Sequence, residues 1–60
     1  MFLKLTTIND LPVIINMANT TEIYQMQDHT QIHFMSPSSE LNITDVTETL
    51  DQIYQMVRTK

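Results

Sequence analysis

The spacing of the apolar residues changes once along this chain, and this change restricts the fold more than any other feature of the sequence. In the first part of the chain apolar and polar residues alternate, as with Leu3 and Leu5 on either side of Lys4. A period of two is typical of strands with one buried face. From Asp45 onward the apolar residues instead follow a helical spacing. They are Val46, Leu50, Ile53, Tyr54 and Val57.

Five short segments carry the strand pattern, and residues that favour turns separate them. The segments are 2–7, 13–15, 22–27, 30–35 and 41–43, and the last two are joined by a serine-rich loop at 36–39. We therefore predict a single α+β domain spanning residues 1–60. It consists of a small curled antiparallel β-sheet of about five short strands over residues 2–43, followed by one C-terminal amphipathic α-helix over residues 45–58.

Both ends of the predicted helix carry residues that stabilise helix termini. Thr44 or Asp45 can cap the start, and Asp45 with Glu48 three residues later has the spacing of a capping box. Arg58 and Lys60 suit the negative end of the helix dipole.

The chain contains no glycine, so any residue with a positive φ angle must be of another type. Asn, Asp and His tolerate the left-handed region better than most residues, although at some steric cost. Asp10 and His29 lie in two of the predicted turns and are the candidates for this conformation.

Length and cysteine content limit how the fold is stabilised. A chain of 60 residues has room for one core and buries only about 60% of its unfolded surface. The sequence has no cysteine, which excludes disulfides, thiolate zinc sites and thiol nucleophiles. Self-association is a remaining way to stabilise so small a domain.

The charge balance argues against two classes of partner. Seven acidic residues against three basic ones give a net charge of −4, which repels phosphate backbones and anionic membranes. We therefore expect no nucleic-acid binding and no membrane association. The first residues lack the pattern of a signal peptide, and no apolar run approaches the roughly 18 residues of a membrane span, which favours the cytoplasm.

Residues that often perform catalysis occur here without the arrangement that catalysis requires. His29 and His33 are four residues apart, but on an extended chain this spacing separates their Cα atoms by about 13 Å, too far to share a metal ion. Asp45, Glu48 and Asp51 are explained by helix capping and the helix dipole. Without glycine, neither a nucleophile elbow nor a phosphate-binding loop can form. We predict no enzymatic activity and no cofactor.

Methionine is frequent for so short a chain, with five residues. Its flexible thioether is common both in core gaps and at surfaces that accept a partner. The strand pattern places Met26 in the core. Met17, Met35 and Met56 fall at a loop, a strand end and a helix flank, and together with Tyr54 they are the predicted partner-binding residues.

The order of these features resembles the FlbD-type flagellar and swarming-motility proteins and related short bacterial proteins. The matching stretches are Leu5-Thr6, Ile8-Asn9-Asp10, Ile14-Ile15-Asn16, Asp28-His29-Thr30-Gln31-Ile32-His33-Phe34, and Ile43-Thr44-Asp45 with Glu48. Asp10 and His29 stand where those relatives usually have glycine. The resemblance implies a small β-rich accessory protein of a bacterium or its phage, with no catalytic residues to transfer.

The main functional hypothesis is a non-enzymatic, acidic protein-interaction module that docks onto a larger protein as an accessory or regulatory protein. One alternative is a structural homo-oligomer, a dimer closed through the sheet edge or the helix flank. Another is an inhibitor of a host protein encoded by a phage or mobile element.

Overall fold

The computed structural model describes residues 1–38 and 40–59. The elements in chain order are β1 (Phe2–Thr6), β2 (Pro12–Asn16), a 3-10 turn (Met17–Asn19), β3 (Thr20–Gln25), β4 (Thr30–Met35), β5 (Leu41–Val46) and α1 (Leu50–Arg58). This order confirms the predicted α+β fold of antiparallel strands followed by a C-terminal helix. Ser39 in the predicted loop 36–39 and Lys60 beyond the helix lie outside the described residues.

The strands form two antiparallel sheets. β1 pairs with β2, and β3, β4 and β5 form a three-stranded sheet with β4 in the middle. The sheets meet at one corner, where Thr7 and Val46 form a bridge and the amide of Thr47 donates to the carbonyl of Thr6 over 2.8 Å. This corner brings the end of β1 beside the end of β5, so that both sheets contribute to one core.

The core takes its side chains from both sheets and from the helix. Its buried members are Leu3, Leu5, Ile15, Ile32, Val46 and Ile53. Each strand residue among them lies on the inward-facing side of an alternating strand, as the period of two predicts. Ile53 is the buried residue of α1, and it docks the helix against this cluster.

Helix α1 begins at Leu50, so the predicted start at residue 45 is wrong. Residues 44–46 are instead the last three of β5, where Val46 pairs with Thr30 and is fully buried. Pairing with β4 and burial in the core stabilise this segment as a strand, and they outweigh its helical spacing. Both involve residues that are distant in the sequence, so the local pattern did not indicate them.

The helix N-cap is Thr49 rather than Thr44 or Asp45. Its Oγ1 accepts a hydrogen bond from the amide of Gln52 at 3.1 Å, and its own amide donates to Oε1 of Gln52 at 2.8 Å. These two bonds form a complete capping box. The predicted box of Asp45 and Glu48 does not form, since Glu48 Oε1 accepts a hydrogen bond from the amide of Thr6 at 2.9 Å.

Two apolar residues expected in or near the core are exposed. Met26 follows the end of β3, so it no longer belongs to the alternating strand, and it is 40% exposed. Leu50 is the first residue of α1 and is 38% exposed, whereas Ile53 one turn later is 1% exposed. The apolar stripe of the helix is therefore anchored at Ile53.

The turn between β1 and β2 contains Asp10, whose φ angle is 64°, in the left-handed region. The amide of Asp10 donates to the carbonyl of Thr7 at 2.9 Å, and the amide of Thr7 donates to the carbonyl of Leu11 at 2.8 Å. Among the described residues Asp10 is the one with a positive φ, so the prediction for Asp10 is confirmed and that for His29 is wrong.

Replacing Asp10 by glycine is expected to stabilise the protein by about 0.5 kcal/mol, a rise in melting temperature of a few degrees. Glycine removes the steric cost of the left-handed conformation, and the larger entropy of the unfolded chain offsets part of that gain. His29→Gly is the matched control and should lower the melting temperature. Thermal denaturation followed by circular dichroism measures both, and a lower melting temperature for Asp10→Gly would contradict the expectation.

Candidate functional site

The side of the three-stranded sheet that faces away from the core carries every second side chain of its strands. In β4, Thr30 and Ile32 are buried, so the alternate residues of that strand lie on the opposite side. Cross-strand pairing extends this side onto both neighbouring strands. We call it the outer face, consisting of Glu22, Tyr24, Gln31, His33, Met35, Leu41, Ile43 and Asp45.

Large apolar side chains on the outer face are exposed to solvent. Tyr24, Met35, Leu41 and Ile43 expose between 37% and 57% of their surface. Met35 pairs with Leu41, and His33 pairs with Ile43, so the apolar groups are neighbours across the strands. Adjacent exposed apolar residues on one face of a small protein mark a candidate contact surface.

Negative charge is concentrated on the segment that forms this sheet. Residues 20–46 contain no lysine or arginine, and they contain four acidic residues, Glu22, Asp28, Glu40 and Asp45. Residues 1–19 have one base and one acid, and residues 47–60 have two of each. The whole net charge of −4 therefore belongs to the three-stranded sheet and its connecting loops, and the remainder of the chain is neutral overall.

The aromatic residue of the outer face is held by two contacts. The hydroxyl of Tyr24 donates a hydrogen bond to the Glu22 carboxylate, and its ring meets the His33 ring edge to face, with centroids 5.0 Å apart. The pKa of Tyr24 is raised above its ordinary value, mainly by the hydrogen bond to Glu22 and to a smaller extent by desolvation. These two contacts fix the orientation of the Tyr24 side chain.

His29 connects the turn after β3 to β5. Its Nδ1 lies 2.6 Å from Oδ1 of Asp28, and its Nε2 lies 3.4 Å from Oδ1 of Asp45. The hydrogen bond from His29 holds the pKa of the Asp28 carboxyl below its ordinary value. Both ring nitrogens therefore lie near carboxylates, but Oδ1 of Asp45 accepts no hydrogen bond from the described residues.

The two histidines have different surroundings, since His33 contacts Tyr24 and lies 3.4 Å from Oε1 of Gln31. Within the part of the chain that the structure describes, no group of three or more His, Asp or Glu side chains is placed to hold a metal ion. In the same part, no helix has both the length and the apolar character needed to cross a membrane.

The four predicted partner-binding residues lie in different surroundings. Met35 is on the outer face, and Tyr54 is exposed on α1, with the guanidinium of Arg58 5.6 Å from its ring centroid. Met17 and Met56 are half-buried and pack against the core. The structure therefore brings Met35, rather than all four residues, to the outer face.

Sequence reasoning missed Tyr24, Leu41 and Ile43 as surface candidates. The signal was present in the segment 41–46, where Leu41 and Ile43 have the same strand parity and Val46 the opposite one. Treating Val46 as the first residue of the helical stripe ended the strand too early and hid this parity. Comparison with known proteins finds no matching family model, no similar curated protein and no similar solved structure.

Proposed function

We propose that this protein is a non-enzymatic interaction module that docks onto a larger protein through the outer face, in the cytoplasm. The observation that supports the proposal is the combination of exposed apolar side chains with a sheet segment that has four acidic residues and no lysine or arginine. The partner chemistry that fits is an apolar segment flanked by lysine or arginine, because complementary charge favours both encounter and register.

Docking of two outer faces against each other is unfavourable by the same reasoning. It would bring together two copies of the Glu22 and Asp45 carboxylates, and like charges placed opposite each other oppose association. The outer face is therefore suited to a basic partner rather than to a second copy of the same chain. Such a surface is compatible with an accessory or regulatory protein of the flagellar and swarming-motility type, and equally with an inhibitor of a host protein.

The size of the surface sets the expected strength of binding. A standard interface buries about 800 Å² on each partner, and the described residues expose 4337 Å² in total. Such an interface would require roughly a fifth of the molecule, and eight residues on three strands provide less. We expect a weak complex with a dissociation constant in the micromolar range and a strong dependence on salt.

Two designed peptides with matched apolar residues test this proposal. One carries leucines flanked by lysines and the other carries the same leucines flanked by glutamates, and each is titrated into the ¹⁵N-labelled protein. The lysine peptide is expected to shift the amide signals of Tyr24, His33 and Ile43, with affinity falling at least tenfold between 50 and 300 mM salt. The glutamate peptide should produce no saturable shift.

Ile43→Glu is the variant that tests the location, because it places a charge in the centre of the apolar group without adding a basic residue. It is expected to weaken binding of the lysine peptide at least fivefold, since the apolar contact is lost even though the added charge favours the peptide. Ile14→Glu, on the exposed side of β2, is the control with the same net charge. Equal binding of both peptides, or shifts that map away from the outer face, would refute the proposal.

A further inference from the structure

Strand β2 has a free hydrogen-bonding edge. Over the described residues it pairs with β1 alone, in the uninterrupted register from Phe2 and Asn16 to Thr6 and Pro12. The other edges are less suited to further pairing, because β3 is interrupted by a bulge between Thr20 and Glu22 and each of the other edge strands carries a charged residue. These charged residues are Lys4 in β1, Glu22 in β3 and Asp45 in β5. β2 has neither a bulge in its register nor a charged residue, and its proline stands at its first position.

A groove of about 300 Å³ lies beside β2. Val13, Ile14 and Ile15 of β2 line it, together with residues from the other sheet and its loop that include Phe34, Pro37 and Thr44. None of the described residues that line the groove is charged. A chain that extended the sheet at this edge would therefore meet an uncharged and largely apolar environment, which excludes a strongly charged segment as its occupant.

The occupant that fits these properties best is another copy of β2. The sequence Pro12-Val13-Ile14-Ile15-Asn16 is itself uncharged, apolar and rich in β-branched residues, and it has the same unpaired edge. Residues 1–19 are neutral overall, because Lys4 and Asp10 balance. The groove residues that belong to the other sheet, such as Phe34 and Thr44, are uncharged as well, so two copies can approach through β2 without placing these strands' carboxylates in the groove.

We propose that two copies of this chain associate by antiparallel pairing of β2 with β2, which joins the two hairpins into one four-stranded sheet. Centred on Ile14, this arrangement places the two Ile14 side chains, each 68% exposed in the monomer, directly opposite each other. Lys4 pairs with Ile14 within each copy, so the two Lys4 residues are three strand spacings apart. That distance is about 14 Å, longer than the screening length of about 8 Å at physiological salt.

Dimerisation through β2 would also stabilise the β1–β2 hairpin. A two-stranded hairpin is only marginally stable by itself, and three or more strands are needed for independent stability. In the monomer the β1–β2 hairpin is connected to the rest of the sheet system at the corner of Thr7 and Val46. Pairing through β2 doubles the number of strands in this hairpin sheet. The inference does not depend on the proposed function, which concerns the other sheet.

Sedimentation equilibrium of the full chain between 10 μM and 1 mM, together with hydrogen exchange, tests the inference. The protein is expected to be a dimer at the upper end of this range, with protection of the β2 amides that increases with concentration. Ile14→Glu is expected to weaken dimerisation at least tenfold, because it sets two carboxylates opposite each other across the dimer axis. Within one copy the new carboxylate faces Lys4, a pairing that preserves the hairpin.

Ile43→Glu is the matched control, since it makes the same substitution on the outer face and gives the same net charge. It should leave the dimerisation constant within twofold of the original, while an unchanged melting temperature of each variant at 10 μM shows that it is folded. A strictly monomeric protein at 1 mM would overturn the inference. The inference would also be overturned if Ile43→Glu lost the dimer while Ile14→Glu retained it. A dimer in which the β2 amides stay unprotected would overturn it as well.

Discussion

Ile53→Ala is expected to remove roughly half of the free energy of unfolding of this protein at 25 °C. Ile53 is 1% exposed and joins the helix to a core built from both sheets. Removing a buried isoleucine side chain costs about 2–5 kcal/mol. At 0.05–0.15 kcal/mol per residue, the total stability of 60 residues is about 3–9 kcal/mol. Urea denaturation followed by far-UV circular dichroism measures the loss directly.

Leu50→Ala is the control for this prediction, because it truncates an apolar residue of the same helix at a position that is 38% exposed. It is expected to cost less than about 1 kcal/mol. Equal losses for the two variants, or a cooperative transition of Ile53→Ala close to that of the parent, would show that the helix does not depend on Ile53 for its docking.

Glu48→Ala is expected to destabilise the protein by about 1–2 kcal/mol. The side chain of Glu48 accepts a hydrogen bond from the amide of Thr6, and its backbone carbonyl accepts one from the hydroxyl of the buried Thr30 at 2.7 Å. Glu48 therefore connects the end of β1 with β4, at the corner where the two sheets meet. Alanine removes the carboxylate oxygen, so the partly buried amide of Thr6 loses its hydrogen-bond acceptor.

Glu48→Gln separates the hydrogen bond from the charge, since the amide oxygen can accept from Thr6 in the same position. We expect it to retain more than half of the stability that Glu48→Ala loses. Hydrogen exchange provides the local measurement, in which the Thr6 amide should exchange faster in Glu48→Ala than in Glu48→Gln. Equal stability of the alanine variant and the parent would mean that the corner is maintained without Glu48.

Much of the fold could be predicted from local patterns, and the exceptions have a common cause. The alternation in residues 30–35 predicted β4 with its exact bounds, and the turn at Asp10 was recognised because Asp tolerates a positive φ. The start of the helix was wrong because Val46 satisfies a strand period and a helical period equally well. Pairing of Val46 with Thr30 and its burial decided between the two.

The candidate surface depended even more on tertiary structure. Residue type indicated methionines and Tyr54, but exposure and position separated Met35 from Met17 and Met56, which pack against the core. The neighbours of Met35 on the outer face became visible only when the register of β3, β4 and β5 was known. A shift of one residue in that register would have turned the opposite side of a strand outward.

The sequence by itself determined the class of the fold, the order of strands and helix, the absence of glycine and cysteine chemistry, and the net charge, because these follow from composition and short-range spacing. Tertiary structure decided where β5 ends and the helix begins, which edge of each sheet stays unpaired, and which apolar residues remain exposed. Each of these depends on contacts between residues far apart in the chain, whose free energy exceeds local preferences of a few tenths of a kcal/mol.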